Sequence, residues 1–255
     1  MSWWLFMEGR LVSVESRVLV VDAGNTSIKF TAFEGEQVLW VLRGDSCPAE
    51  TDFAPQVIYF ASVRSKEQSA LLHADVQAAF PSSEWITLTS QATACCVRNA
   101  YIEPERLGID RWLGVVAAHH LIKGNVVVVD AGTAIKVDVV NSEGAHLGGY
   151  IAPGLAMMTE SLLSKTARIR FDSHEVVEGE GLPNSTARAV TEGCHEMALG
   201  FLERIHHLYP EFKWVVTGGD AQALLNRLGI ALECFPNLVA LGAKLVGDEQ
   251  LRGNK

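Results

Sequence analysis

The stretch VVDAGNTSIK at residues 20–29 returns as VVDAGTAIKVD at residues 128–138. In each copy an apolar strand runs into Asp-Ala-Gly, and a second apolar strand follows after a short polar turn. The repeat therefore places a carboxylate at a strand end, with bare backbone N–H groups beside it. That combination suits a phosphate with its metal ion, because the N–H groups contact the oxygens and the carboxylate holds the cation.

A single Asp-Gly would be a weak signal, since this pair is also an ordinary hairpin turn. Two copies, roughly a domain apart and each extended by polar residues, predict a duplicated fold with nucleotide phosphates held between its halves. The sequence has neither the Gly-rich P-loop pattern nor the protein-kinase signatures. Any phosphate site must therefore come from the repeated turns.

The composition is that of a soluble globular protein, with 48% apolar and 20% charged residues in a chain of 255. The formal net charge of −9 argues against nucleic-acid binding, because phosphate backbones attract basic surfaces. It does not argue against ATP, which needs only a locally positive site and magnesium.

Cysteine usage and hydropathy indicate a cytoplasmic protein. The five cysteines form no Cys-x-x-Cys pair and their number is odd, which is typical of a reducing compartment. No apolar run reaches the roughly 18 residues that span a bilayer, and the start of the chain lacks the features of a signal peptide. We therefore expect no membrane partner, and residues 1–17 are interpreted as an extension before the first strand.

Three successive strands followed by mixed helix and strand occur twice, which predicts an α/β fold with a duplicated core. The predicted strands are 18–22, 28–33, 38–42, 57–61 and 85–88 in the first half and 126–130, 135–140, 145–151 and 214–217 in the second. The predicted helices are 65–79, 105–122, 154–164, 185–208, 221–228 and 238–246. A polar loop is expected between the third and fourth strands and again over 168–183.

The first Asp-Ala-Gly turn carries the groups that a phosphate needs. Gly24 lets backbone approach the phosphate, and Asn25 and Thr26 add short polar donors. Lys29 points to the same face of the strand as Ser27 and can offer a positive charge. The alternative interpretation is a plain hairpin with a solvated lysine.

Two other segments are candidates for ligand contact. Gly218 and Gly219 follow an apolar strand and open a helix, where a flat ligand such as adenine or ribose can lie against backbone; a plain tight turn is the alternative. Gly108 precedes Asp110 and Arg111 on the first turn of an apolar helix. An aspartate there is commonly only a helix-dipole group, but the adjacent arginine makes a clamp for a substrate carboxylate possible.

Together these segments resemble the type III pantothenate kinases, which belong to the acetate and sugar kinase, Hsp70 and actin superfamily. Each piece is weak alone, whereas the ordered set is specific and covers nearly the whole chain. The matching pieces are, in order, DAGNTSIK at 22–29, Tyr101 with Pro104, LGIDR at 107–111, DAGTA at 130–134, LGGYIAPG at 147–154, STARAVTEG at 185–193 and TGGDA at 217–221.

The resemblance implies a fold of two duplicated ribonuclease H-like (actin-like ATPase) domains, each a mixed sheet flanked by helices. It implies an N-terminal lobe at 18–115 and a C-terminal lobe at 116–255, whose last helix packs back on the first lobe. It also implies a homodimer that transfers a phosphoryl group from ATP to the 4′-hydroxyl of pantothenate, the first step of coenzyme A synthesis.

The site residues follow from the same resemblance. ATP would be bound by Asp22, Ala23, Gly24, Asn25, Thr26, Ser27, Ile28, Lys29, Thr133, Gly218 and Gly219, with Asp22 facing the Mg²⁺ that ATP carries. Asp110 corresponds to the general base, and Asp130 to the ligand of the monovalent cation, K⁺ or NH4⁺, that the family requires. The pantothenate contacts would be Tyr101, Gly108, Ile109, Asp110, Arg111 and Thr186.

One position departs from the family pattern. Family members usually carry threonine where this chain has Lys136, three residues past Thr133 on the second strand. The lysine could stand in partly for the monovalent cation, or it could merely point to solvent. Our hypothesis is that Lys136 weakens the dependence on the cation.

Two other functions stay open at this point. One is a different phosphotransferase or phosphohydrolase on the same fold, against which LGIDR and LGGYIAPG argue because they belong to the acceptor side. The other is a catalytically silent regulatory or partner-binding protein. The joint presence of Asp22, Asp110, Arg111 and Asp130 argues against a silent protein, which has no need of all four.

Overall fold

A computed structural model describes residues 17–48, 52–221, 224, 228–229 and 232–253. The chain divides into two compact units, with the division between Leu88 and Thr89. The predicted N-terminal extension, apart from Arg17, lies outside the described residues, and so does most of the predicted helix 221–228.

The described residues of the first unit form one five-stranded sheet and one helix. Its strands are β1 (Arg17–Ala23), β2 (Ile28–Glu34), β3 (Gln37–Gly44), β4 (Val57–Ser62) and β5 (Glu84–Thr87), and its helix is α1 (Lys66–Ala79). The strand order is β3-β2-β1-β4-β5, with the first three strands antiparallel and β4 and β5 parallel to β1. Ser65 caps α1 through a capping box with Gln68.

The second unit repeats this sheet. Its strands are β8 (Val126–Ala131), β9 (Ala134–Val140), β10 (His146–Pro153), β11 (Lys213–Thr217) and β12 (Leu232–Cys234), in the order β10-β9-β8-β11-β12. A short hairpin, β6 (Thr93–Ala94) and β7 (Val97–Arg98), precedes them. The α-helices whose bounds lie in the described part of this unit are α2 (Ile109–Ile122), α3 (Leu155–Lys165), α4 (Thr186–Leu208) and α5 (Leu238–Gly253).

The two sheets confirm the predicted duplication. In both, an antiparallel meander of three strands is extended by two parallel strands on the far side of the first strand. Each is a mixed sheet with helices from its own unit, which is the predicted ribonuclease H-like arrangement. The repeated Asp-Ala-Gly turns join the first and second strands of the two sheets.

The central strand β8 shows why the core forms where it does. Its run of four valines has no polar alternation, as expected for a strand covered on both faces. Val127 and Val129 pack in a cluster with Leu202 of α4, and a side chain at Gly114 of α2 would lie 3.9 Å from Val128. The sheet is therefore sandwiched between α4 and α2, and the ends of its strands hold the polar turns.

Two predicted helices differ from the observed ones, and three short strands lack a prediction. The predicted helix 105–122 is broken: a 3₁₀ turn at Pro104–Arg106 precedes α2, because Leu107 is buried with an extended backbone and Gly108 caps the next helix. The short strands β6, β7 and β12 were not predicted. The last helix continues past residue 246 to Gly253, because Lys244 pairs with Asp248 one turn later and Leu251 is buried.

The predicted boundary between lobes, at residues 115 and 116, falls inside α2. The compact units divide earlier because the whole of α2 packs on β8, β9 and α5 of the second unit. Among the described residues, no helix is both long enough and apolar enough to cross a bilayer.

Candidate active site

Two neighbouring ion pairs connect the first turn of α2 with strand β9. Asp110 and Arg111 are consecutive on α2, whereas Lys136 and Asp138 are two residues apart on β9 and therefore point to the same face. Asp110 pairs with Lys136, and Arg111 pairs with Asp138. The result is a patch of alternating charge at one end of the second sheet, in which the Arg111–Asp138 pair is buried and the Asp110–Lys136 pair is partly exposed.

Lys136 is shared by two carboxylates. Its Nζ donates to Asp110 Oδ2 at 2.7 Å and to Asp130 Oδ2 at 2.8 Å, and its side chain is 23% exposed. Burial lowers the pKa of Lys136, but the charges of Asp130 and Asp110 outweigh this effect and raise it above the ordinary value. The side chain is therefore a permanent cation, and the prediction that it could merely point to solvent is wrong.

Asp110 is held from two sides. Its Oδ1 accepts a hydrogen bond from the backbone N–H of Arg111 at 2.9 Å, while Oδ2 faces Lys136. The residue stands in the first turn of α2, where the helix dipole favours a negative charge. Because one contact comes from the helix and one from the sheet, the direction of the carboxylate is fixed.

Arg111 makes a buried, two-point contact with a protein carboxylate. Its Nε donates to Asp138 Oδ2 at 2.8 Å and its Nη2 donates to Oδ1 at 2.6 Å, and both side chains are only 4% exposed. Burial lowers the pKa of Arg111, but the hydrogen bond and the charge of Asp138 raise it. The planar fork that the sequence suggests for a substrate carboxylate is thus used by Asp138.

The remaining guanidinium nitrogen links Arg111 to a predicted substrate contact. Nη1 donates to the hydroxyl of Tyr101 at 2.9 Å, and the guanidinium lies 5.8 Å from the centre of that ring. Tyr101 also stacks on His146, with ring centres 6.5 Å apart. Arg111 therefore positions Tyr101 in addition to neutralising Asp138.

Sequence reasoning missed Asp138 and His146. His146 Nδ1 accepts from the N–H of Ala100 at 3.4 Å, so Nε2 carries the ring proton and donates to Asp138 Oδ1 at 3.0 Å. Asp138 ends the quoted repeat and could have been found as a carboxylate on the same strand face as Lys136. A single histidine at the start of a strand gives no such signal.

Gly149 on β10 is required by this network. A side chain there would lie 2.1 Å from Val137 O, 2.4 Å from Asp138 Oδ1 and 2.9 Å from Arg111 Nη2. The close packing of backbone against the buried ion pair explains why the sequence has glycine at this position.

In the first unit, the Asp-Ala-Gly turn joins β1 to β2. Asp22 is half-buried at the end of β1 and stands directly opposite Lys29 in the strand register, while residues 25–27 are exposed. A further cation lies at this turn, because Arg64 Nε donates to the carbonyl of Gly24 at 2.7 Å. The sequence did not indicate Arg64, which follows β4.

The second turn lies beside the Gly-Gly turn that was predicted to face adenosine. Asp130 and Thr217 are register partners on β8 and β11, and the N–H of Asp220 donates to Ala131 O at 3.0 Å. Thr133, Gly218 and Gly219 are exposed at this end of the sheet. The three residues are therefore gathered at the same strand ends.

The other predicted substrate contacts take different positions. Ile109 is buried in α2, whereas Thr186 is exposed as the first residue of α4, next to its cap Ser185. A small cavity of about 10 Å³, lined among others by Asp110, Asp130 and Lys136, has room for about one water. Within the described part of the chain, no group of three or more His, Cys, Asp or Glu side chains is arranged to hold a metal ion.

Two sheets with one strand order, each with an aspartate at the end of its first strand, form a fold that this chain shares with acetate kinase. Acetate kinase from Entamoeba histolytica matches with a TM-score of 0.50 over 93% of this chain and 100% of that chain, at 9% identity. A Campylobacter jejuni structure described as a Baf family transcriptional activator matches with a TM-score of 0.59 and 27% identity. The match covers 93% of this chain and 100% of that chain.

The sequence comparisons narrow the class to one family. The model of the type III pantothenate kinases matches residues 18–208. Type III pantothenate kinase from Pseudomonas aeruginosa (strain PAO1) is 35% identical over 89% of this chain and 98% of its own length. Type III pantothenate kinase from Nitrosococcus oceani is 34% identical over 91% of this chain and 94% of its own length. The chain belongs to the type III pantothenate kinase family.

Proposed function

We propose that this protein transfers the γ-phosphoryl group of ATP to the 4′-hydroxyl of pantothenate, giving 4′-phosphopantothenate and ADP. The observation that carries the proposal is Asp110, a carboxylate held by Lys136 and by its own helix, next to Asp130. Membership of the family supports the two substrates, and this geometry supports Asp110 as the base.

On the acceptor side, Asp110 takes the proton of the pantothenate hydroxyl as the oxygen attacks phosphorus. A carboxylate accepts up to two hydrogen bonds on each oxygen, so the contacts with Arg111 and Lys136 leave acceptor positions for the hydroxyl. A positioned general base is typically worth about 10²- to 10⁴-fold in rate. Tyr101, Gly108 and Thr186 are proposed to contact pantothenate, and Ile109 to support them from the core.

On the nucleotide side, residues 22–29 are proposed to contact the phosphates, with Arg64 as an added cation at the same turn. A carboxylate at the mouth of an exposed turn is the oxygen donor that Mg²⁺ prefers, so Asp22 fits this ion. The ion neutralises charge on the phosphate oxygens when it is bound. Thr133, Gly218 and Gly219 are proposed to contact the rest of ATP.

The monovalent cation that the resemblance implies does not fit Asp130 as this chain presents it. The Asp130 carboxylate already binds the ammonium group of Lys136 at 2.8 Å. The proposed reaction therefore has no step that involves a bound K⁺ or NH4⁺.

We further propose a cytoplasmic homodimer. All five cysteines are free thiols, which suits a reducing compartment. Exposed apolar side chains on β10 and α3, including Tyr150, Ile151 and Met157, offer a surface for a second copy of the chain.

The Campylobacter jejuni relative raises the alternative of a regulatory protein. A net charge of −9 is unfavourable for contact with nucleic acid, whose backbone is negatively charged. The ion pairs of Asp110 and Arg111 also carry an unfavourable free energy of desolvation, because they are buried or partly buried. A protein without catalytic activity has no functional reason to keep them. Both arguments favour the kinase.

Titration calorimetry with pantothenate, together with ADP release measured with and without it, tests the proposal. A pantothenate kinase binds pantothenate and releases ADP only when it is present. ATP hydrolysis without pantothenate binding would indicate a phosphohydrolase instead. A protein that does neither would be the silent regulator.

A further inference from the structure

The ammonium group of Lys136 occupies a position between two carboxylates from different elements. Asp110 comes from α2 and Asp130 from the end of β8, and each accepts a hydrogen bond from the same nitrogen. Because both lie within hydrogen-bond distance of Nζ, the two carboxylates are close neighbours. Without a cation between them their charges would repel, and one of the two would be driven to take up a proton.

The strand register fixes the lysine at this position. Lys136 stands directly opposite Asp130 in the β8–β9 pair, as Lys29 stands opposite Asp22 in the β1–β2 pair. Directly opposite residues of an antiparallel pair have Cβ atoms about 4.5–5.5 Å apart, within easy reach of a lysine side chain. The duplication therefore repeats the lysine together with the aspartate.

We propose that the Lys136 ammonium is the resident monovalent cation of this site, so that the enzyme needs no added K⁺ or NH4⁺. The inference rests on the proposed kinase function and goes beyond it by assigning the positive charge at Asp130 to a side chain. An alkylammonium has the same charge as either ion. It also has three N–H donors, one more than the contacts with Asp110 and Asp130 use, and that donor is available for a phosphate oxygen.

The first test uses the native enzyme in KCl, NH4Cl, NaCl and choline chloride at one ionic strength. ADP is separated from ATP by chromatography, so that no coupling enzyme adds a cation requirement of its own. We expect initial rates equal within about twofold, because constant ionic strength keeps general screening the same. The melting temperature should also be equal in KCl and choline chloride. A rate or melting temperature that rises in KCl or NH4Cl above choline overturns the proposal.

The second test removes the ammonium group. Lys136→Thr should bind an external cation at Asp110 and Asp130, because it leaves the two carboxylates uncompensated. In choline chloride its rate should fall by about 10²-fold, the cost typical of one lost electrostatic stabiliser, and KCl or NH4Cl should restore part of it. Its melting temperature should rise in KCl relative to choline. A Lys136→Thr enzyme with the native rate in all four salts contradicts the proposal.

Two further variants control this experiment. Lys136→Arg keeps the charge and should stay independent of the salt. Lys213→Thr makes the same change at a lysine that is 63% exposed, and should behave as the native enzyme does. If Lys136→Thr does not fold, the native enzyme and Lys136→Arg still decide the question. If the native protein makes no ADP in any salt, the kinase function fails, whereas the melting temperatures still test the cation.

Discussion

Both carboxylate oxygens of Asp110 accept hydrogen bonds from the protein, one from its own helix and one from Lys136. The side chain of Asp110 is therefore already ordered in the folded protein. Little further conformational entropy would be lost when this base orients toward its substrate. The neighbouring Arg111 is held still more firmly, by both oxygens of Asp138 and by Tyr101.

Changing Asp110 to Asn should abolish most turnover while pantothenate and ATP still bind. The amide keeps the shape of the side chain but cannot take the hydroxyl proton, so the rate should fall by about 10²- to 10⁴-fold. Titration calorimetry and ADP release measure the two properties separately. Asp45→Asn makes the same chemical change at an exposed turn and serves as the control. Native turnover in Asp110→Asn would remove this residue from the mechanism.

Changing Asp138 to Asn should destabilise the fold, because the buried Arg111 would lose its counter-charge. Breaking a buried ion pair on one side typically costs about 3–5 kcal/mol in the free energy of unfolding. Glu103→Gln breaks the exposed pair with Arg106, which is 72% exposed, and should cost less than about 1 kcal/mol. Urea unfolding measures both variants, and equal costs would contradict the buried contact.

The thiols of Cys47 and Cys95 should react slowly in the folded protein. Burial raises the pKa of Cys95 to about 12, and burial with the nearby Asp75 raises the pKa of Cys47 to about 11. The reactive thiolate forms only as the pH approaches the pKa, so at pH 8 both should react with iodoacetamide far more slowly than in urea-unfolded protein. Peptide mass spectrometry follows each residue. Equal rates in folded and unfolded protein would argue against these surroundings.

At the scale of elements, α2 is positioned by close contact with α5. A side chain at Gly242 of α5 would lie 2.0 Å from the carbonyl oxygen of Leu113 on α2. The two helices therefore approach until backbone meets backbone. This contact holds the helix that carries Asp110 and Arg111 against the second sheet.

Gly242→Ala should push α5 away from α2 and lower the free energy of unfolding by about 1–3 kcal/mol, as overpacking typically does. Gly200→Ala in α4 is the matched control, because a side chain there has no neighbour within 4 Å. That change should instead stabilise the protein by about 0.5–1 kcal/mol through helix propensity. Thermal and urea unfolding measure both, and a stabilised Gly242→Ala would contradict the described packing.

Elements with a clear pattern of apolar residues can be predicted from the sequence. Elements that depend on tertiary contacts cannot. The strands β1 and β8 are apolar runs that end in Asp-Ala-Gly, and β2 and β9 are the apolar runs that follow this turn. The break before α2 depends on burying Leu107, and β12 depends on pairing with β11, so neither has a local signal.

The same distinction holds for the candidate site. Asp110, Asp130 and Lys136 belong to sequence motifs that can be recognised without a structure. The partner of Arg111 depends instead on how the strands and helices pack. Asp138 reaches the guanidinium only because β9 lies beside β8 and under α2. The sequence pattern therefore predicts which charged residues belong to the site. It does not predict which carboxylate pairs with the buried arginine, because that depends on the packing of α2 on the sheet.

At the scale of the whole molecule, the same strand order occurs in both compact units. In each unit an aspartate and a lysine stand opposite each other where the first two strands meet, β1 with β2 and β8 with β9. In the second unit the lysine of this pair also donates a hydrogen bond to Asp110 of α2. The family match over residues 18–208 covers sequence from both units.

Phosphorus NMR of the reaction mixture tests the central claim most directly. Native protein with ATP, Mg²⁺ and pantothenate should convert the γ-phosphorus signal into a single phosphomonoester signal that couples to the protons at the 4′-carbon of pantothenate. The same mixture with Asp110→Asn should keep its ATP. A signal of inorganic phosphate with or without pantothenate, or a phosphomonoester formed equally fast by Asp110→Asn, would contradict the account.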